Sequence, residues 1–371
     1  MNRAEQKLVL ELCRFQNPDV ERIKYLKKQG IDQAAVLGQL MFHRVAGVAY
    51  VTLAENDLLS LFHREFRTSL RSAYQSACEK TKSFMENVDK LAEILNQSQV
   101  PYALLKGSKL CYIYPLGCRT SNDVDVLLNA KDLDEVSHAL YANGYVQGHI
   151  RNQILVPATR IELIQSRMTR GETVPFIKEV SLPCMQFSEV DLNFSLHESN
   201  EQNNTVSELL NRRSLYHTNS TFAYTLSKYD FVLHLCAHLY KEASVMAWVR
   251  MDRDLSLYKF LDLYVVLSDW GEEEYVQLLM GAISAHLEHD VYYTLYWVRE
   301  LFGITSMPLD NVLEHLEHHL PGIGQVLDLV YDPATKQRYR YMSSDLTKRL
   351  FTANRAKGLM LEKGSDTDEA T

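Results

Sequence analysis

The chain has 371 residues, 46% of them hydrophobic and 23% charged, with a formal net charge of -8. That length exceeds one average core, so two or three subdomains are expected, and the acidic balance argues against a broad nucleic-acid-wrapping surface. No segment reaches the roughly 20 apolar residues of a membrane span, and the charged stretch MNRAEQKLVLELCRF lacks a secretory pattern, so a cytoplasmic protein is expected. Cys13, Cys78, Cys111, Cys118, Cys184 and Cys236 form no CxxC pair, which predicts free thiols.

Residues 1–97 read as a helical region. Apolar positions recur every three or four residues, as in Leu8, Leu12 and Phe15 and again in Val36, Leu37, Leu40 and Met41. Asp57 to Leu95 holds no Gly or Pro and predicts one long helix or two. A break follows near 97–102, then an apolar run of strand length, Tyr102 to Leu105, closed by Gly107. Lys109 to Tyr114 reads as a helix, Asp123 to Leu128 as a strand, and Ala130 to Asn143 as a helix stopped by Asn143-Gly144. Tyr145 to Ile150 reads as a further strand, whereas 151–177, with Gly171 and Pro175, fits no single element. Glu189 to His197 alternates most clearly: Val190, Leu192, Phe194 and Leu196 face one way, Glu189, Asp191, Asn193 and Ser195 the other. The polar run 198–207 predicts a linker. Helices return after Leu226, with Ser227 as an N-cap and further helices over 257–269, 272–302 and 309–320. The acidic tail 361–371 is expected to be disordered.

The chemistry concentrates in LLKGSKLCYIYPLGCRTSNDVDVLL, residues 104–128. Alternate strand residues share a face, so Asp123 and Asp125 place two carboxylates roughly 7 Å apart, with Val124 and Val126 opposite. Two such anions on a buried strand repel each other and lose hydration, so a cation is expected between them. A hard divalent ion, Mg²⁺ or else Mn²⁺, suits carboxylate oxygens and shares its other positions with phosphates. Upstream, Gly107-Ser108 follows a strand and opens a helix, the setting in which backbone N–H groups receive phosphate. Asp191 is the candidate third carboxylate, as a ligand or as the base that activates a hydroxyl. Glu189 competes on the same face but lies nearer the strand's start.

These segments, LLKGSKL, YPLGCRTSNDVDVLL and VDLNFSLH, resemble the nucleotidyltransferase fold of the DNA polymerase β superfamily. That pattern is a hydrophobic residue, Gly and Gly or Ser, two acids spaced by one residue, and a third acid on a later strand. The likeness is nearer to the bacterial uncharacterised nucleotidyltransferase family, with its Lys-Gly start, Tyr-Pro, and Arg before the D-x-D. It covers about residues 100–197 and continues more weakly to about 270. Two features depart from the pattern: fourteen residues separate Ser108 from Asp123, and Asn193 stands where relatives often carry His.

The resemblance implies an α+β protein with a small mixed-sheet catalytic core at 98–200, an N-terminal helical region at 1–97 and a C-terminal helical domain at 208–360. It further implies metal-dependent transfer of a nucleotidyl group from a nucleoside triphosphate, such as ATP, to a hydroxyl of an acceptor that is a small molecule, peptide or protein. Gly107 and Ser108 would hold the triphosphate, Asp123 and Asp125 the Mg²⁺, and Asp191 would complete the triad. Lys106 and Arg119 either neutralise phosphate or stand in salt bridges. His234 and His238, four apart on one helix face, and Asp262 beyond them line an acceptor pocket, bind metal or serve the core. Two other readings keep the fold: a transferase using a nucleotide-activated sugar on a peptide, and a non-catalytic antitoxin-like binding protein.

Overall fold

The computed structural model describes residues 1–169, 171–195 and 205–362. The last positions of the alternating segment, the expected linker up to 204 and the tail beyond 362 lie outside them.

The N-terminal helices Arg3–Leu12, Val20–Lys27 and Gln33–Phe42 start on Asn2, Asp19 and Asp32, whose side chains accept first-turn backbone N–H groups that have no helical partner. The Gly- and Pro-free stretch forms one 35-residue helix, Arg64–Ser98, about 50 Å long at 1.5 Å per residue. It stops at Gln99, whose backbone turns left-handed at φ 59°.

An eight-stranded mixed sheet follows, wider than the alternation alone predicts. Its strands are β1 Tyr102–Leu104, β2 Asp123–Leu128, β3 Val146–Arg151, β4 Ile154–Pro157, β5 Phe176–Leu182, β6 Met185–Asn193, β7 Ser214–His217 and β8 Phe222–Thr225. Their order is β4-β3-β5-β6-β2-β1-β8-β7. The β2/β6 and β1/β8 pairs are parallel and the rest antiparallel.

Side-chain alternation splits the sheet into two faces. Val124, Val126 and Leu128 of β2 and Val190 and Leu192 of β6 pack with Phe84, Val88, Leu91 and Leu95 of the long helix. On the other face, Ala103 and Leu127 join a larger cluster that holds N-terminal Leu8, Leu12 and Val48 together with C-terminal Phe260, Leu295 and Val298. N- and C-terminal helices thus share one core, on the sheet face that carries Asp123 and Asp125. His43 Nδ1 accepts the Leu257 N–H at 3.2 Å across that junction. Gly47 lets the loop before β2 approach: a Cβ there would lie 2.0 Å from the Gly117 carbonyl oxygen, and Gly117 itself has φ +80°.

Several segments differ from their sequence reading. Residues 205–211, partly within the expected linker, form the helix Thr205–Asn211, because Val206, Leu209 and Leu210 share a buried face. The helix expected over 272–302 is two, Glu272–Ala285 and Glu288–Phe302, separated at His286 with φ 55°. Residues 151–177 resolve into β4, the helix Arg160–Thr169 and the start of β5. The C-terminal region also holds an unforeseen three-stranded sheet, β9 Leu329–Asp332, β10 Gln337–Tyr341 and β11 Leu359–Leu361. All six cysteines are free thiols. Among the described residues no helix is long and apolar enough to cross a membrane.

Candidate active site

Parallel pairing of β2 with β6 sets Asp123 opposite Glu189 and Asp125 opposite Asp191, so neighbouring acids stand about 4.8 Å apart in the hydrogen-bonding direction. Lys106 Nζ lies 2.9 Å from Asp125 Oδ1. Ser121 Oγ donates to Asp123 Oδ1 at 3.2 Å. Burial, then the charges of Asp125, Asp123, Glu189 and Glu172, raise the Asp191 carboxyl well above the ordinary range. Glu189 shifts the same way, through burial and then Asp123 and Asp125. Burial pulls the Lys106 ammonium down, but Asp125, through charge and hydrogen bond, outweighs it and the net shift is upward. Lys106 is held at φ 45°, ψ -119°, a conformation that costs a non-glycine residue on the order of 1–3 kcal/mol.

A cleft of about 710 Å³ opens over this patch and is lined by Lys106, Asp123, Asp125 and Asp191 on the sheet side. His234, His238 and Glu242 of the helix Lys228–Ser244 face them, with Trp248 and Pro333 closing the rim. His234 is 9% exposed, and neither of its ring nitrogens has a hydrogen-bond partner among the described residues. Burial, then the charges of Lys106 and Lys241, lower it to about 3. His238 is pulled well below the imidazole range by burial, then by Lys106 and Lys259, although its Nε2 lies 3.6 Å from Glu242 Oε1. Both rings are therefore neutral at pH 7. A larger cavity, about 850 Å³, lies against the first helix and contains none of the acids.

Asp123, Asp125, Asp191 and Lys106 thus meet at one cleft. Three other expected residues do not line it. Gly107 is buried with its open side against Ser121, where a Cβ would come within 2.5 Å of Oγ, so this glycine makes room for the loop that leads into β2. Ser108 is fully buried, its N–H donates to the Leu105 carbonyl at 3.2 Å, and its Oγ has no partner. Arg119 is sunk in an ion pair with Asp262 rather than turned to the cleft or to solvent. Residues that sequence reasoning missed are Glu242, Trp248 and Lys259. The signal for Lys259 was present: with Asp262 it interrupts the apolar helix LYKFLDLYVVL. Among the described residues no three His, Cys, Asp or Glu side chains are gathered closely enough to hold an ion as they stand.

No curated protein matches this chain. Among solved structures it is similar to an antigenic nucleotidyltransferase-like protein from Paracoccidioides brasiliensis, with 15% identity, 66% of this chain and 92% of that chain covered, and a TM-score of 0.36. Residues 29–303 match the model of a family described as uncharacterised nucleotidyltransferase, and with that match spanning most of its length the chain belongs to this nucleotidyltransferase family.

Proposed function

We propose that the protein moves a nucleotidyl group from a nucleoside triphosphate to an acceptor hydroxyl, with Asp123, Asp125 and Asp191 as the carboxylates of a Mg²⁺ or Mn²⁺ site. The observation that carries this reading is the register of Asp125 against Asp191, with Asp123 on the same face, at the floor of an open cleft. The donor set fits: every candidate ligand is a hard carboxylate oxygen, and Lys106 engages only one oxygen of one of them. Burial and the neighbouring carboxylates that raise the Asp191 carboxyl are the conditions a divalent cation relieves. When bound, such an ion stabilises charge on the attacking and leaving oxygens of an in-line displacement.

The protein's own groups supply the rest. Lys106 sits where its ammonium can hold a phosphate oxygen as well as Asp125. Asp191, surrounded by carboxylates, serves as a ligand rather than as the base. The acceptor approaches from the side of His234, His238 and Trp248, where a neutral imidazole can accept the hydroxyl's hydrogen bond and orient it, its proton passing to solvent as the new bond forms. The acceptor oxygen then bonds to the α-phosphorus, and the bond from that phosphorus to the β-phosphate bridge breaks, releasing pyrophosphate. The test is to incubate the protein with Mg²⁺, each α-labelled nucleoside triphosphate and cell extract. Label should appear on an acceptor with the parent and be absent with Asp123→Asn/Asp125→Asn. Equal labelling by that variant rejects the site.

A further inference from the structure

Arg44 lies in the turn after the helix Gln33–Phe42, Lys80 on the helix Arg64–Ser98 and Lys259 on the helix Leu257–Leu267, and none of them lines the cleft described above. They converge around Tyr258 and the start of β2. The guanidinium carbons of Arg44 and Arg119 lie 5.5 and 4.8 Å from the centre of the Tyr258 ring, and Lys259 Nζ lies 5.8 Å from it. Lys80 hydrogen-bonds Asn122, the residue before Asp123. Three of the acids nearby are already engaged: Asp262 by Arg119, Glu242 by Lys259 and Asp125 by Lys106. Among the described residues neither Arg44 nor Lys80 has a carboxylate in ion-pair contact, which leaves the group with surplus positive charge.

Gathering like charges in a partly buried place is unfavourable unless an anion completes it. The titration of the lysines reports that tension. Burial, then Lys106, Arg44 and Arg119, bring Lys259 down to about 7, and burial, then Arg44, lower Lys80. The cluster connects the cleft to the surface: Lys106 of the cleft acts on Lys259, Asp123 of the cleft acts on Lys80, and Arg44, which acts on both lysines, is exposed. An anion lying along it must carry several charges in a row.

We infer that Arg44, Lys80 and Lys259 form the binding site for a linear polyphosphate, the tail of the donor nucleotide. This rests on the nucleotidyl-transfer reading for its substrate and adds residues outside the sheet. The N-terminal helices thereby become part of the substrate site.

The probe is inorganic tripolyphosphate, titrated calorimetrically without metal. Arg44→Gln and Lys80→Gln remove exposed or half-exposed charges, so the fold is retained, and unfolding midpoints verify it. Each should weaken binding by about tenfold, the loss of one charge-assisted contact, whereas Lys131→Gln, an exposed lysine elsewhere, should leave it unchanged. Binding near pH 7.5 should also take up protons, seen as a dependence of the heat on the buffer's ionisation enthalpy, because an anion raises the lysines. No tripolyphosphate binding at low salt, or equal binding by parent and both variants, overturns the inference. Tripolyphosphate binding that depends on these residues, in a protein that transfers no label, leaves the anion site standing and rejects the transfer reading. Label transfer at unchanged KM by both variants rejects the anion site alone.

Discussion

Arg119 Nε lies 2.9 Å from one oxygen of Asp262 and 3.1 Å from the other, and the Tyr114 hydroxyl donates to the first of these at 3.0 Å. Residues 143 apart in the chain are tied by this pair, which clamps the loop leading into β2 onto the helix Leu257–Leu267. The loop carries Ser121 and ends at Asp123, so the clamp positions the first acid of the site.

Breaking one side of such a buried pair strands a charge. Asp262→Ala should destabilise the protein by about 3–5 kcal/mol, measured by urea unfolding. The double replacement Arg119→Met/Asp262→Leu leaves no buried charge and should recover most of that loss. A double variant as unstable as Asp262→Ala would show that the cost comes from packing rather than from an uncompensated arginine.

The acids make stability depend on pH in a definite direction. Asp191 and Glu189 hold their protons more tightly in the folded chain than ordinary carboxylates do. Above about pH 4, where such groups ionise in the unfolded chain, the folded protein binds more protons, so these two groups lower stability as pH rises. Asp191→Asn should therefore raise Tm in EDTA, by an amount that grows from pH 5 to pH 8. Saturating Mg²⁺ should erase that advantage by stabilising the parent. A gain independent of pH would mean that Asp191 is not crowded by charge.

The histidine of the opposite wall acts with the other sign. His234 is lowered to about 3 in the folded chain, so below its ordinary value near 6.5 the unfolded chain binds the extra proton. Stability then falls as pH drops from about 6.5 toward 3, at up to about 1.4 kcal/mol per pH unit. His234→Leu, which removes two unpartnered ring nitrogens from a buried site, should flatten that limb of a Tm against pH curve and leave Tm near pH 8 little changed. An unaltered acid limb would place the proton-linked loss at other groups.

How much of this was legible in the sequence follows from the range of each interaction. Asp123, Asp125 and Asp191 could be found because strand periodicity is local and the intervening Val and Leu side chains mark the buried face. Their register across β2 and β6 is a tertiary fact, set by strand order. Gly107 was recognisable as a position that excludes a Cβ, and what a Cβ there would meet is the Ser121 side chain, a contact no local pattern announces. The partner of Arg119 lay too far along the chain to be paired by pattern. Strands β7 to β11, of three to five residues, are too short for period 2 to stand out. The break at His286 carries no Gly or Pro to mark it.

Lys106 offers a test that separates backbone strain from charge. Its φ of 45° with ψ of -119° is readily adopted by glycine alone, yet the chain keeps a lysine there, with its ammonium on Asp125. Both Lys106→Ala and Lys106→Gly remove the ion pair, but only glycine relieves the backbone. Lys106→Gly should thus be more stable than Lys106→Ala by about 1 kcal/mol, measured by chemical unfolding, while both lose label transfer alike. If the two unfold at the same denaturant concentration, the conformation carries no strain. If Lys106→Gly transfers label as fast as the parent, the ammonium is not needed at the phosphate. Retaining a strained lysine where glycine would fit is costly to folding, and the cost is accounted for if that ammonium must reach both Asp125 and the substrate from a fixed point at the head of the helix Gly107–Leu110.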